Sequence, residues 1–312
     1  MILCLGLNPA VDVTYGIDRL EVGHSHRVER VTARAGGKAV NVARALQALR
    51  LPVELILPLG GASGEQTGDD LRQAGFVVHE LAAGPTRRTV TVVDATGTAT
   101  AFNEAGAPID AVGWAALTTA LRREAGRAQV VVLSGSAPPG VPSSGYGELV
   151  RIARECGAEV VLDCSGDQLR AALAAGPAVV KPNAPELAEV TGGLTGAAAA
   201  RALRAHSPGT AVVASQGADG MLVVAPTGSW RARLPHPLVG NPTGAGDAAV
   251  ASLAAGLWRA LSTGRAMDWP VALRAAVALS GSAVLQPVAG AVDVAVAAEL
   301  SEQVQVEPVP DS

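Results

Sequence analysis

From about residue 129 onward, short continuous apolar runs alternate with helix-patterned segments, and this rhythm constrains the fold more than anything else in the chain. The runs 129–134, 159–163, 178–181 and 211–215 read as strands, with helical faces around 114–123, 146–156, 167–174 and 197–206. A strand that is apolar on both faces must be covered on both faces. Parallel neighbours also need a crossover long enough to hold a helix. The pattern therefore predicts an α/β fold, a three-layer α/β/α domain with a mostly parallel central sheet. The runs 1–7 and 53–59 supply two more buried strands, and helical faces follow at 40–49, around 69–73, and at 248–261 and 271–284.

Two regions do not fit that layer. Residues 11–34 and 86–105 alternate polar and apolar side chains, as in Val28-Glu29-Arg30-Val31-Thr32-Ala33 and Thr89-Val90-Thr91-Val92. That is the pattern of strands with one solvated face. They are expected to form a small separate sheet, a lid, on a single domain spanning 1–306. A hairpin is expected at 221–226 and 229–234 around Thr227-Gly228, and the Pro-rich tail 307–312 is expected to fray.

Composition narrows the function. Apolar residues make up 49% and charged residues 17%, enough for a large core. The net charge of −4 and the lack of any basic run argue against a nucleic-acid partner. The start of the chain lacks a basic leader, and the uncharged stretch 275–292 is too rich in Ser, Gly, Gln and Pro for a bilayer span, so a cytoplasmic protein without membrane contact is expected. Cys4, Cys156 and Cys164 are too scattered for a disulfide framework or a zinc site. Of 24 basic residues only Lys38 and Lys181 are lysines. In a chain that otherwise uses arginine, they mark positions where a compact charge is wanted.

Four loops carry the chemistry. Asn241-Pro242-Thr243-Gly244-Ala245-Gly246-Asp247 opens an apolar helix. Gly244 and Gly246 let backbone N–H groups approach one point, and the helix N-terminus adds partial positive charge, an anion hole for a transferring phosphoryl group. Asp247, in the first turn, is either a general base or a simple helix cap. Gly36-Gly37-Lys38-Ala39-Val40-Asn41 brings backbone close to a ligand, with charge from Lys38 and hydrogen bonds from Asn41. Lys181-Pro182-Asn183-Ala184-Pro185-Glu186 follows a strand, and Asn183 and Glu186 could offer oxygen to magnesium through water. Ser215-Gln216-Gly217-Ala218-Asp219-Gly220 also follows a strand, where flexible backbone can face nucleotide phosphates. Neither a Walker A loop nor a dinucleotide-binding GxGxxG is present.

These loops, with Leu7-Asn8-Pro9-Ala10-Val11-Asp12, Thr86-Arg87-Arg88, Ser134-Gly135-Ser136-Ala137-Pro138-Pro139-Gly140 and Asp163-Cys164-Ser165-Gly166, resemble the PfkB family of carbohydrate kinases, which has the ribokinase-like fold. The nearest subgroup is that of 1-phosphofructokinase, tagatose-6-phosphate kinase and the minor 6-phosphofructokinase. The resemblance spans about residues 2–300. It implies ATP as co-substrate, Mg2+, and a hexose phosphate as acceptor. It gives Asp247 the role of base and Gly244, Ala245 and Gly246 that of anion hole. It assigns Asp12, Gly37, Lys38, Asn41 and Arg88 to the sugar, with Arg88 rather than Arg87 on the substrate phosphate. Lys181, Asn183, Ser215, Gly217 and Gly220 fall to ATP, Ser282 to the neighbourhood of the adenine, and Glu186 to magnesium. A monovalent cation near Asn241, Thr243 and Ala283 and a homodimer through the lid occur in relatives. Three departures stand out: Ala39 where the family usually has Gly, Pro242 where Ser or Thr is frequent, which weakens the case for the cation, and Asn103-Glu104-Ala105-Gly106, which lacks the usual Pro after the Glu. A kinase for a free sugar or nucleoside, and a non-catalytic sugar-phosphate-binding regulator, are the rival readings.

Overall fold

The computed structural model describes residues 1–288 and 290–310. β1 (Ile2–Leu5) leads into β2 (Ala10–Gly16) and β3 (Arg30–Gly36), then α1 (Lys38–Ala48), β4 (Val53–Leu59), α2 (Gly61–Gln73) and β5 (Val77–Ala82). The chain next forms β6 (Arg87–Val93) and β7 (Ala99–Asn103). Regular alternation follows through α3 (Ala111–Ala125), β8 (Val130–Ser134), α4 (Gly145–Glu155), β9 (Glu159–Asp163), α5 (Gly166–Leu173), β10 (Val179–Val180), α6 (Ala184–Val190), α7 (Gly196–Ala205) and β11 (Ala211–Ser215). The hairpin β12 (Met221–Ala225) and β13 (Gly228–Arg233) precedes α8 (Ala245–Ser262), α9 (Trp269–Val284), α10 (Val294–Gln303) and β14 (Gln305–Pro308).

Ten strands form one sheet in the order β14-β13-β12-β11-β10-β9-β8-β1-β4-β5. From β11 to β5 every pair is parallel, while β12, β13 and β14 are added antiparallel. Period-two alternation sends Ile2 and Cys4 to one face and Leu3 and Leu5 to the other. On the first face they meet α1, α8 and α9 through Leu46, Leu253 and Leu273, and on the second they meet α3, α4 and α7 through Leu121, Leu149 and Leu203. These leucines are almost completely buried, so truncating one to alanine costs about 2–5 kcal/mol.

The alternating segments form a separate four-stranded sheet, β3-β2-β6-β7, parallel only between β2 and β6. The β6–β7 turn is fixed by Asp94, whose Oδ1 accepts from the amides of Thr96 and Thr98 at 2.9 and 3.0 Å.

One expectation needs correction, and two elements are added. The tail does not fray through Pro308: Glu307 and Pro308 pair with Arg231 and Trp230, because β13 would otherwise expose an open edge. The expected tail residues 311 and 312 lie outside the described residues. β5 and α10 are additional elements. β5 is an edge strand mixing His79 and Glu80 with valines, so its apolar signal is weak. Among the described residues, no helix is long and apolar enough to cross a membrane.

Candidate active site

The main sheet, the small sheet and the N-terminus of α8 enclose a cleft of about 1170 Å³. That is larger than the usual single small-molecule pocket and has room for two ligands. It lies at the C-terminal ends of the parallel strands, where α/β sheets bind ligands.

Asp247 sits in the first turn of α8 and is 6% exposed. Asn41 Nδ2, from α1, donates to its Oδ2 at 3.0 Å. Burial raises the carboxyl to about 7; Lys38 pulls it down, Asp163 pushes it up, and Asn41 and Lys181 also favour the anion. A carboxyl poised there can hold and release a proton near neutral pH. Gly244 caps α8 at φ 88°, a conformation open to glycine at no steric cost. The first-turn amides of Gly246 and Asp247 have no intrahelical acceptor and remain available to an anion. Ala245 departs from the expected anion hole: its amide donates to the Pro242 carbonyl at 3.2 Å, closing the tight turn into the helix.

Both lysines of the chain converge on one carboxylate that sequence reasoning gave no role. Asp163, at the end of β9, is 2% exposed and lies 3.3 Å from Lys38 Nζ and 3.5 Å from Lys181 Nζ. Ser134 Oγ donates to it at 3.0 Å from the end of β8. Burial alone would raise the Asp163 carboxyl, but Lys181, Lys38 and Ser134 outweigh it and hold it below the usual range. Burial would likewise lower the Lys38 ammonium, but Asp163, Asp247 and Glu186 hold it above its ordinary value. A Cβ on Gly246 would lie 3.6 Å from Lys181 Nζ, so this ammonium faces the anion hole. The signal for Asp163 was a buried acid directly after the apolar residues Val160, Val161 and Leu162 at the end of β9.

On the small-sheet side the cleft is lined by Asp12, Thr14, Arg87, Thr89 and Thr91. Asp12 accepts from Thr89 Oγ1 at 2.6 Å and from the Gly37 amide at 3.4 Å. Gly37 sits at φ 89°, a conformation side chains rarely adopt, and a Cβ there would be crowded by backbone, 3.1 Å from Pro9 Cα. The assignment of Arg88 is corrected. The cleft-facing residues of β6 are Arg87, Thr89 and Thr91, so alternation turns Arg88 to the opposite, exposed face. Arg87 donates to the carbonyls of Asn8 and Glu104 at 3.4 and 3.2 Å.

On the other side the lining includes Lys181, Asn183, Glu186, Ser215, Gly217 and Gly220, with an apolar slot at Val277, Gly281 and Val284. Asn183 and Glu186 form a reciprocal capping box on α6, with amide–carboxamide and amide–carboxylate bonds of 2.8 and 2.9 Å. Ser282 is corrected too. It is fully buried and its Oγ accepts from the Asp293 amide at 3.1 Å, tying α9 to α10, while its neighbour Gly281 reaches the cleft. For a divalent cation, the Glu186 carboxylate lines the cleft, and the buried Asp163 Oδ1 has no hydrogen-bond partner. Hard oxygen donors of this kind fit magnesium.

An α/β small-molecule kinase is the class this combination defines, since phosphoryl transfer asks for positioning and charge stabilisation rather than covalent chemistry. Comparison with known proteins narrows the class. The pfkB family carbohydrate kinase pattern matches residues 1–294. A 1-phosphofructokinase of Xanthomonas campestris pv. campestris is 37% identical over 261 residues, 80% of this chain and 82% of that protein. A tagatose-6-phosphate kinase of Staphylococcus epidermidis is 31% identical over 269 residues, 82% of this chain and 85% of that protein. The structure of Escherichia coli phosphofructokinase-2 in complex with potassium superposes with a TM-score of 0.87 at 26% identity, covering 96% of this chain and 98% of that one. The chain belongs to the pfkB family of carbohydrate kinases; it has the ribokinase-like fold and is an ATP-dependent sugar kinase.

Proposed function

We propose that this kinase transfers the γ-phosphoryl group of ATP to a hydroxyl of a hexose phosphate, giving the bisphosphate. The observation that carries the reading is Asp247: a buried carboxyl near pKa 7, oriented by Asn41 in the first turn of α8, in one cleft with Arg87. Asp247 takes the hydroxyl proton. The sugar oxygen forms a bond to the γ-phosphorus as the bond to the β-phosphate bridging oxygen breaks, and ADP leaves. The Gly244, Gly246 and Asp247 amides and Lys181 stabilise the charge that develops. Magnesium bound with ATP would neutralise phosphate charge, with Glu186 its ligand through water.

Asp12, Gly37 and Arg87 hold the sugar phosphate, and Lys38 bridges towards the phosphoryl group. Asn183, Ser215, Gly217 and Gly220 hold the nucleotide phosphates, and the adenine enters the slot at Val277, Gly281 and Val284. Residues 11–34 and 86–105 act as a lid that excludes water. A monovalent cation belongs to the reading as well. The 241–243 turn is held by Asn241, whose Oδ1 accepts from the Thr243 amide at 3.0 Å, and kcat in potassium against sodium tests it. The outer face of the small sheet exposes Val31 by 61% and Phe102 by 56%, which fits a homodimer through the lid. Phe102→Glu is expected to shift the sedimentation coefficient to that of a monomer; an unchanged dimer would place the interface elsewhere. Three unpaired cysteines fit a cytoplasmic, reducing compartment.

The reading is tested by ADP release with fructose 1-phosphate, fructose 6-phosphate, tagatose 6-phosphate, ribose and adenosine. A preference for one of the three phosphates is expected; a preference for ribose or adenosine would refute the substrate class.

A further inference from the structure

The small sheet presents its polar face to the cleft in cross-strand rows. In one row Asp12 of β2 lies between Arg34 of β3 and Thr89 of β6. In the next, Thr14 lies between Thr32 and Thr91. Arg87 stands opposite Ala10, two residues along from the first row. Arg34 and Arg87 thus flank Asp12, and both line the cleft. With strands about 4.8 Å apart and about 3.3 Å per residue, their Cα atoms are roughly 12 Å apart, a gap two arginine side chains can close on one anion.

Arg34 has unspent hydrogen-bonding capacity. Its Nη2 is buried and has no hydrogen-bond partner. The nearby acids are committed elsewhere. Asp70 Oδ2 accepts from Arg44 Nη2 at 2.6 Å and from the Ala35 amide at 2.8 Å. Asp12 accepts from Thr89 and Gly37. Burial and the neighbouring Arg44 lower the Arg34 guanidinium, while Asp12 and Asp70 raise it without restoring its ordinary value. A half-buried guanidinium with a buried, unpaired Nη2 donor is costly unless a ligand completes it, and the ligand that fits a planar fork is a phosphate or carboxylate.

We propose that Arg34 is a second anchor for the phosphate the substrate already carries, acting with Arg87 across Asp12 and setting the preference for a phosphorylated over a free sugar. The inference rests on the hexose-phosphate reading above. It is tested with Arg34→Met and Arg34→Lys in the full-length protein. Arg34→Met is expected to raise KM for the hexose phosphate tenfold or more and to move KM for ATP less than twofold, with Arg34→Lys in between. Thermal unfolding gives a readout independent of turnover. The hexose phosphate alone should raise the melting temperature of the wild type and, at the same concentration, raise that of Arg34→Met by markedly less. Equal protection of both, or an unchanged KM, would overturn the role of Arg34. Should Arg34→Met not fold, Arg34→Lys decides: an unchanged sugar-phosphate KM with the point charge alone overturns the proposal, and a selective rise supports it. A wild type active only on unphosphorylated acceptors would overturn the underlying reading and this inference with it. A wild type active on a hexose phosphate, with Arg34→Met unchanged, would overturn this inference alone.

Discussion

Replacing Asp247 by Asn removes the proton acceptor while keeping shape and volume, and the structure predicts opposite effects on rate and stability. General-base catalysis contributes roughly 100- to 10,000-fold, so kcat should fall by at least two orders of magnitude while ATP still binds. Folding moves the carboxyl from 3.8 to about 7, a shift that disfavours the charged form in the native state. A raised carboxyl pKa stabilises the folded protein fully below the unfolded value, and that contribution is lost as pH rises through about 7. At 1.36 kcal/mol per unit, the wild type carries a cost of up to about 4 kcal/mol at pH 8. Asn carries no such cost, although it also gives up the attraction to Lys38. The variant should therefore be at least as stable as wild type at pH 8, and its relative stability should decline toward pH 5. Wild-type kcat/KM should rise about tenfold per unit below pH 7 and level off above it. ADP-release kinetics and urea unfolding at the two pH values measure both effects. Retention of more than about a tenth of wild-type turnover, or a variant less stable relative to wild type at pH 8 than at pH 5, would refute the reasoning.

Arg87→Ala should raise KM for the sugar phosphate roughly tenfold, from the loss of charge-assisted hydrogen bonds, while Arg88→Ala leaves it near wild type. Steady-state kinetics giving the reverse order would return the role to Arg88. Asp163→Asn leaves Lys38 and Lys181 without their shared buried partner and should cost about 3–5 kcal/mol in urea unfolding; a loss below about 1 kcal/mol would show that the lysines find other partners.

Much of this site is legible in the sequence because it depends on local chemistry. Gly244 before Asp247 specifies a left-handed entry to a helix, and that entry alone places an acid beside free amides. The rarity of lysine singled out Lys38 and Lys181, but their convergence on Asp163 is a tertiary fact: three residues from α1, β9 and the end of β10 meet only when parallel strands stack in register. The choice between Arg87 and Arg88 turned on which face of β6 meets the cleft, and a one-residue error there reverses the side chain. Ser282 was misplaced for the same reason on a helix, where its neighbour Gly281 faces the cleft and the serine turns toward α10. Glu186 and Asn183 read equally as metal-facing residues or as a helix start. They form the cap and line the cleft as well, since capping occupies one carboxylate oxygen.

The most direct test of the central claim is phosphorus NMR of the product made from ATP and fructose 1-phosphate, fructose 6-phosphate or tagatose 6-phosphate. The account predicts, for the preferred sugar, a bisphosphate with two phosphomonoester resonances appearing in step with ADP. Inorganic phosphate as the sole phosphorus product besides ADP, or a monophosphate formed from ribose or adenosine in preference to all three, would contradict it.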